Sequence, residues 1–484
     1  MTLPTLFAAL LAIATFCLAV VLPSADPDTY WHLASARWMV DHGQLLTRDP
    51  FSSTAANAPY SVGEWAGELV WYAAFLAGGW QGIAILRALV VAVAAFFTSQ
   101  TVLLLQPRPL FAIAPLLAAL AIGKTTWTDR PQLFTLAFFS VFLFVLLRAR
   151  FLGGGRRELW ILPPLLLLWT NLHGGYAVGL ALVALFAIDA MLRRAPRWRT
   201  LLAVLVVGAA LSLLNPEAFG PLGAAGHVTN PPRFIAEELP PDLFTLQGFT
   251  FGVLIVAALA SAIIGAPSTF ARRLEAEPEF GRGEGAHLLW AILLVPLIWL
   301  GLSAQRHLPL AAMPLAGYVA DAAPRALRRL WPARGTSAGA ARVERVAPPI
   351  AAGILLVAAL GAAAVAARLA PRAPDETAYP AGALTALRSA PRELLNEYDW
   401  GGYLIWNAPE HPVFIDGRLF LYLPEVFDDY RRVLELRPGF GAVLDARHVD
   451  TVLVRPDRAV AAYLQDAGWT VLARDDHFVL LRRK

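Results

Sequence analysis

Residues 3–33 read LPTLFAALLAIATFCLAVVLPSADPDTYWHL, an uncharged apolar run that closes at Pro23 and is followed at once by Asp26 and Asp28. About 20 apolar residues span a hydrocarbon core, and in lipid such a run must be helical because every backbone polar group needs an internal partner. Its start, Met1-Thr2-Leu3-Pro4, has no basic residue, and Pro23-Ser24-Ala25 is a poor cleavage site. A retained membrane helix is therefore expected rather than a signal peptide. Proline disfavours helix for the residue before it and fixes its own dihedral, which predicts an extended Asp26-Pro27-Asp28 with both carboxylates on one side. Such a pair can deprotonate a hydroxyl or hold a divalent cation. The equally weighted alternative is an aspartate N-cap opening a helix near Thr29.

The apolar pattern recurs along the whole chain, which has 484 residues, 57% hydrophobic and 16% charged, with a mean hydropathy of +0.55. Soluble globular proteins average about 25% charged and about 45–50% apolar residues, so a soluble enzyme, a disordered chain and a fibrous repeat are excluded. Eleven segments have the length and apolarity of membrane helices: 3–23, 82–105, 109–124, 131–147, 158–171, 173–190, 199–214, 247–266, 286–303, 307–321 and 347–368. Charge is uneven: residues 1–370 hold 26 Lys+Arg and 19 Asp+Glu, whereas the 114 residues 371–484 hold 14 and 17. The expected organisation is an α-helical polytopic membrane domain, 1–370, with an external loop 24–81, followed by a water-soluble α/β domain, 371–484. One cysteine, Cys17, excludes an intramolecular disulfide and a Cys-based zinc site. A net charge of +4 carried in short arginine clusters beside apolar runs suits membrane orientation and argues against a nucleic-acid partner.

Cytoplasmic loops are enriched in Lys and Arg. Five loops, holding Arg108, Arg148 to Arg157, Arg193 to Arg199, Arg272 to Arg282 and Arg325 to Arg345, carry eighteen basic residues; the alternate loops carry Arg37, Arg48, Lys124, Arg130, Arg233 and Arg306. The first set is read as cytoplasmic. Parity then makes Gly63 to Trp80, with its acids Glu64 and Glu68, an interfacial helix rather than a crossing. The N terminus becomes cytoplasmic and the C-terminal domain external.

On that topology most remaining polar residues of the membrane region fall on the external side: Asp26, Asp28, His32, Glu64, Lys124, Asp129, Arg130, Asn171, His173, Asn215, His227, Glu237, Glu238, Arg306 and His307. A one-sided mixture of acids, bases and amides at the lipid surface is the composition of an active site. Asn171-Leu172-His173-Gly174-Gly175 forms a hairpin tip where His173 can bind a hydroxyl, a phosphate or a metal, or simply make ordinary hydrogen bonds. Arg130 and Arg306 stand where helices meet the interface. Either can be a snorkelling anchor, yet a guanidinium fork also suits a phosphate bidentately, and that role is favoured for both. The proline-rich stretch Asn215 to Leu246 is too polar to span and reads as a lid or a rigid connector.

Several of these motifs occur in a familiar order. Asp26-Pro27-Asp28-Thr29-Tyr30-Trp31-His32-Leu33, Asp41-His42-Gly43, Asp49-Pro50-Phe51-Ser52, Gly63-Glu64-Trp65, Arg130-Pro131, Trp169 to Gly175, Asn215-Pro216, Gly401-Gly402-Tyr403 and Asp416-Gly417-Arg418 together resemble a large group of bacterial multi-pass proteins related to GT-C glycosyltransferases. The resemblance spans nearly the whole chain. It implies a bacterial inner-membrane GT-C-like glycosyltransferase whose donor is a sugar on polyprenyl phosphate or diphosphate and whose acceptor is an extracytoplasmic glycan, lipid or protein. Asp26, Asp28 and Glu64 are then the catalytic candidates. His32, Arg130, Asn171, His173, Arg306 and His307 are the substrate-binding ones. A divalent cation, Mg or Mn, would fall on Asp26 and Asp28, although branches of the superfamily dispense with one.

In residues 371–484 the expected strands are 403–406, 413–415, 450–454, 469–473 and 478–481, and the expected helices 381–396, 424–436, 440–446 and 459–467, a small α/β layer. Asp416 and Arg418 are read slightly in favour of internal pairing over a functional role. No phosphate loop, dinucleotide fingerprint or nucleophile elbow occurs, which disfavours nucleotide sugars and ATP. Two rival readings stand beside the transferase: a non-catalytic component of polysaccharide assembly or export using the same acids to bind carbohydrate, and, last, an ion-coupled transporter.

Overall fold

The computed structural model describes residues 2–60, 62–152, 156–217, 236–264, 285–331 and 349–484. Each of the eleven apolar segments coincides with a helix. Six helices among the described residues are long and apolar enough to cross a membrane: Leu3–Val20, Trp65–Leu105, Pro109–Thr126, Gln132–Leu152, Leu246–Ile264 and Ile350–Arg368. Tyr176–Leu192, Trp198–Ser212 and His287–Ser303 are shorter apolar helices. His227, Asn230 to Pro232, Arg233, Arg272, Arg273, Arg282, Arg334, Arg342 and Arg345 lie outside the described residues.

By its contacts the chain forms two compact units, residues 1–22 with 84–370, and residues 23–83 with 371–484. The loop expected to accompany the membrane helices thus groups with the C-terminal segment. The long helix Trp65–Leu105 is interrupted a few residues before the division at Ile83. Gly78 and Gly79 break the helical dihedrals, and Gly79 sits at φ 58°, ψ −144°, a region open only to glycine. Residues 65–77 therefore form a helix distinct from the apolar 80–105.

In the helical unit, 308–330 packs on 109–123 and 246–264, 198–212 packs on 162–172 and 176–192, and the first helix packs on 349–368 through Leu6, Leu10, Ala352 and Leu356. One buried ion pair fixes the first helix's end. Arg87 donates to both oxygens of Asp129, at 3.0 and 2.9 Å, and to the carbonyls of Ala19, at 3.1 Å, and Leu22. Both partners are about fully enclosed, so losing either would strand a buried charge, a cost of about 3–5 kcal/mol.

In the second unit a four-stranded sheet, ordered β1-β2-β4-β3, comprises Leu394–Asn396 (β1), Thr451–Val454 (β2), Thr470–Arg474 (β3) and Val479–Arg482 (β4). β1 runs parallel to β2, and the other pairings are antiparallel. Helices Glu425–Leu434, Phe440–Ala446 and Ala459–Asp466 match expectation. Three segments do not. Tyr403–Trp406 lies in helix Gly401–Asn407, because a short apolar run carries no period that separates a strand from a buried helix. Leu394–Asn396, expected at the end of a helix, is strand β1. Val413 to Ile415 joins no sheet; Val413 instead bridges Ser52 in parallel, and the Asn396 side chain takes the Phe414 N–H at 2.8 Å. The 47–60 loop supplies the partner that this segment would otherwise find in a sheet. Tyr30 and Trp31 of helix Asp28–His42 pack with Tyr379, Trp400, Tyr403 and Leu404 in the unit's core, and Tyr379 stacks on Tyr403 at 4.8 Å.

Candidate functional site

The acid-bearing segment follows the helical of its two equally weighted readings. Pro27 is helical (φ −62°, ψ −28°), Asp28 begins the helix, and Asp26 Oδ1 accepts the Asp28 N–H at 3.0 Å. The N-cap position is Pro27, and the Asp26 carboxylate, one residue before it, satisfies an otherwise orphaned first-turn N–H at the positive helix end. Asp26 is thereby turned to the backbone, and the expected extended pair does not form. Asp28 Oδ1 accepts Trp31 Nε1–H at 3.0 Å. The same oxygen lies 2.0 Å from where a Cβ would stand on Gly417. Only a glycine at 417 leaves that carboxylate its place, and this is the physical content of the Asp416-Gly417-Arg418 motif.

His32, one turn further on the same helix, faces the helix 65–77. Its Nδ1 stands 3.0 Å from Glu68 Oε1 and 3.7 Å from Glu64 Oε1. Glu68 is completely buried. Burial pushes its carboxyl well above the ordinary carboxylate range, Glu64 adds to the rise, and Arg418 opposes it. The Tyr60 hydroxyl is raised as well, first by burial and then by Glu68, with Arg418 again opposing. The structure thus joins two expected residues, His32 and Glu64, to Glu68, which sequence reading had set aside as an interfacial acid. The signal that could have found it is the four-residue spacing of Glu64 and Glu68 at a helix start, which puts both on one face.

Beside them is a closed network. Arg418 donates to Asp416 through Nε (2.9 Å) and Nη2 (2.6 Å) and to Asp49 through Nη1 (2.7 Å), while Tyr422 donates to Asp416 Oδ2 at 2.5 Å. Arg418, Asp416 and Asp49 are all buried. The internal pairing read from sequence holds, with Asp49 added from the loop.

In the helical unit, Arg130 pairs with Glu237 at 2.5 Å and Arg306 with Glu238. The guanidinium forks read as phosphate ligands are thus already faced by carboxylates. Arg306 Nε also donates to His307 Nε2 at 3.4 Å. His173 Nδ1 accepts the Gly175 N–H at 3.0 Å and lies 2.8 Å from Thr135 Oγ1. Thr135 accepts Trp169 Nε1–H at 3.0 Å, so its own proton is available to Nδ1 and the neutral ring keeps its hydrogen on Nε2. Burial first, then Arg306 and Arg130, bring the His173 pKa down to about 3. Burial and Arg306 bring His307 down to about 4. Both imidazoles are therefore neutral donors or acceptors at physiological pH. The Asn171 amide donates to Leu167 O at 2.9 Å and Leu214 O at 3.4 Å, while Asn215 donates to Thr170 O at 2.7 Å, linking two helix ends. Lys124 is exposed.

No protein-family profile matches the chain, and no curated protein matches it. Solved structures do. ArnT from Cupriavidus metallidurans in the apo state is 15% identical, with 98% of this chain and 97% of that chain covered and a TM-score of 0.51. The same protein bound to undecaprenyl phosphate gives 14%, the same coverage and 0.47. The Archaeoglobus fulgidus oligosaccharyltransferase in the apo form gives 12%, 93% and 69% coverage, and 0.49. The fold is similar to that of the apo ArnT structure.

Proposed function

We propose that the chain is a polytopic glycosyltransferase of the bacterial inner membrane that moves a sugar from a polyprenyl phosphate or diphosphate to a glycan, lipid or protein acceptor outside the cytoplasm, in cell-envelope glycan or glycolipid synthesis. In this reading the chain crosses the membrane eleven times, its N terminus is cytoplasmic, and residues 371–484 are extracytoplasmic. The observation that carries the reading is the fixed placement of Asp28, directly after the first apolar helix, on a GT-C fold. ArnT, whose fold this is, has been solved with undecaprenyl phosphate bound, a carrier of the class proposed here.

Asp28 takes the proton of the acceptor hydroxyl as that oxygen attacks the anomeric carbon, and the bond from that carbon to the phosphate oxygen breaks with its electron pair leaving on the phosphate. Asp26 holds the helix start that aims Asp28, and Glu64 with His32 support the same segment. Arg130 and Arg306 bind the lipid phosphate, exchanging Glu237 and Glu238 for it, so the leaving group needs no proton. His173 offers Nε2–H to a phosphate or sugar oxygen, and His307 steadies Arg306. Asn171 acts through the helix ends it locks. The mechanism requires no Mg or Mn on Asp26 and Asp28.

The test is release of lipid phosphate from a panel of polyprenyl-phosphate and polyprenyl-diphosphate sugars by protein in nanodiscs. Wild type should turn over at least one donor, and Asp28→Asn should lose about 10²–10⁴-fold, the range for a removed general base. Equal rates in the two proteins would remove Asp28 from the chemistry. A folded wild type that turns over no donor would favour the polysaccharide-assembly role instead.

A further inference from the structure

Glu68 is a fully enclosed carboxylate with one oxygen on His32 and the other, Oε2, without a hydrogen-bond partner among the described residues. Burying an ionisable group with an open valence is costly, and such groups are normally paired, hydrogen-bonded or bound to metal. The nearest guanidinium does not answer it. Arg418 spends its hydrogen bonds on Asp416, Asp49 and Tyr422. His32 Nδ1 and one oxygen from each of Glu64 and Glu68 all lie within 4.8 Å of one another, with His32 and Glu68 buried.

We propose that His32, Glu64 and Glu68 form a binding site for a divalent transition-metal ion of the zinc class. Ligand atoms about 2.0–2.2 Å from a tetrahedral ion stand about 3.3–3.5 Å apart, and the separations of 3.0 and 3.7 Å from Nδ1 bracket that value. An imidazole nitrogen beside carboxylates selects zinc over magnesium or calcium, which prefer all-oxygen shells. Three protein ligands leave one position for water or for an anionic oxygen. Binding displaces the proton shared by His32 Nδ1 and Glu68 Oε1, and a chelating Glu68 carboxylate brings Oε2 onto the ion as well. The site differs from the Asp26 and Asp28 pair expected from sequence, and it does not rest on the transferase reading because metal content is read directly.

The full chain in detergent, stripped with a chelator and dialysed against micromolar Zn2+, should retain about one equivalent by elemental mass spectrometry, the count for one three-ligand site. Glu68→Gln and His32→Gln should retain none while keeping wild-type ellipticity and elution. Zn2+ should raise the melting midpoint of wild type and leave that of Glu68→Gln unmoved. Substoichiometric metal in folded wild type, or equal binding by folded Glu68→Gln, would overturn the proposal. If the variants do not fold, wild type titrated with Co2+ decides: ligand-field bands at one equivalent support the site, and their absence rejects it. Metal-free protein that still releases lipid phosphate would end the metal's part in the chemistry and leave the transferase standing; bound metal without turnover on any donor would do the reverse.

Discussion

Two buried polar clusters lie side by side in the unit formed by residues 23–83 and 371–484, and they are built on opposite principles. Around Arg418 every charge is answered: the guanidinium meets two carboxylates and Tyr422 closes the ring. Around Glu68 one imidazole faces two glutamates, and one Glu68 oxygen has no hydrogen-bond partner among the described residues. A saturated network specifies structure, because removing any member strands the rest in low dielectric. An unsaturated one carries a standing cost that folding alone does not explain, and such costs collect where a ligand is received. Arg418 also joins the loop to the C-terminal segment through Asp49, so the closed cluster builds the platform on which the open one sits.

The largest effect is therefore expected from Arg418→Met. It leaves Asp49 and Asp416 buried with no cation, a loss of about 3–5 kcal/mol for a broken buried pair. Denaturant unfolding followed by tryptophan fluorescence would measure it. Combining the change with Asp49→Asn and Asp416→Asn should recover part of the loss, because the stranded charges go with the partner. A cost under about 1 kcal/mol, the scale of an exposed pair, would mean that the network is not what closes this unit.

How much of this was legible in the sequence follows the same division. The apolar runs announced their helices, since lipid tolerates no other local structure, and one-sided charge picked out the polar segment after the first helix. The local Asp416–Arg418 pairing was legible because both residues lie in one turn. Asp49 joining them was not, being 369 residues away from Arg418 along the chain. For the same reason Glu237 and Glu238 were not seen as partners of Arg130 and Arg306. The helical start at Asp28 competed with an extended Asp-Pro-Asp, and proline permits both; the helical start is the one formed, with Asp26 accepting an N–H of its first turn. Glu68 looked like an interfacial acid because burial on the inner face of helix 65–77 depends on which surface the loop and the C-terminal segment cover.

A histidine in the helical unit sharpens the contrast by excluding charge instead of pairing it. His173 has an ordinary pKa of 6.5 in the unfolded chain and about 3 when folded, so the unfolded state binds the proton first. Its neutral form is fully compatible with the fold above pH 6.5, and stability falls as pH drops from there toward 3. Each unit of separation is worth at most about 1.4 kcal/mol, and the ring's remaining solvent access keeps the slope below that limit. His307, lowered to about 4, adds to the same window. Melting midpoints measured from pH 7 to pH 4.5 should decline, and His173→Gln should flatten the decline. An unchanged slope in the variant would show that His173 does not carry the proton uptake.

The smallest expected effect is also the one that separates the two clusters most directly. Glu68→Gln keeps the side chain's shape and replaces a buried carboxyl already pushed toward its neutral form, so in metal-free protein its cost should stay within about 1 kcal/mol, or become a gain. The partners it leaves, His32 and Glu64, are not a stranded ion pair of the kind Arg418→Met creates. With Zn2+ at 100 times its dissociation constant, wild type should gain about 2.7 kcal/mol and the variant nothing, so the ranking of the two proteins widens only when metal is present. Parallel unfolding curves with chelator and with Zn2+ read both numbers. A metal-free loss as large as that of Arg418→Met would mean that the Glu68 cluster is as closed as its neighbour, and the distinction between platform and receptor would fail at its root.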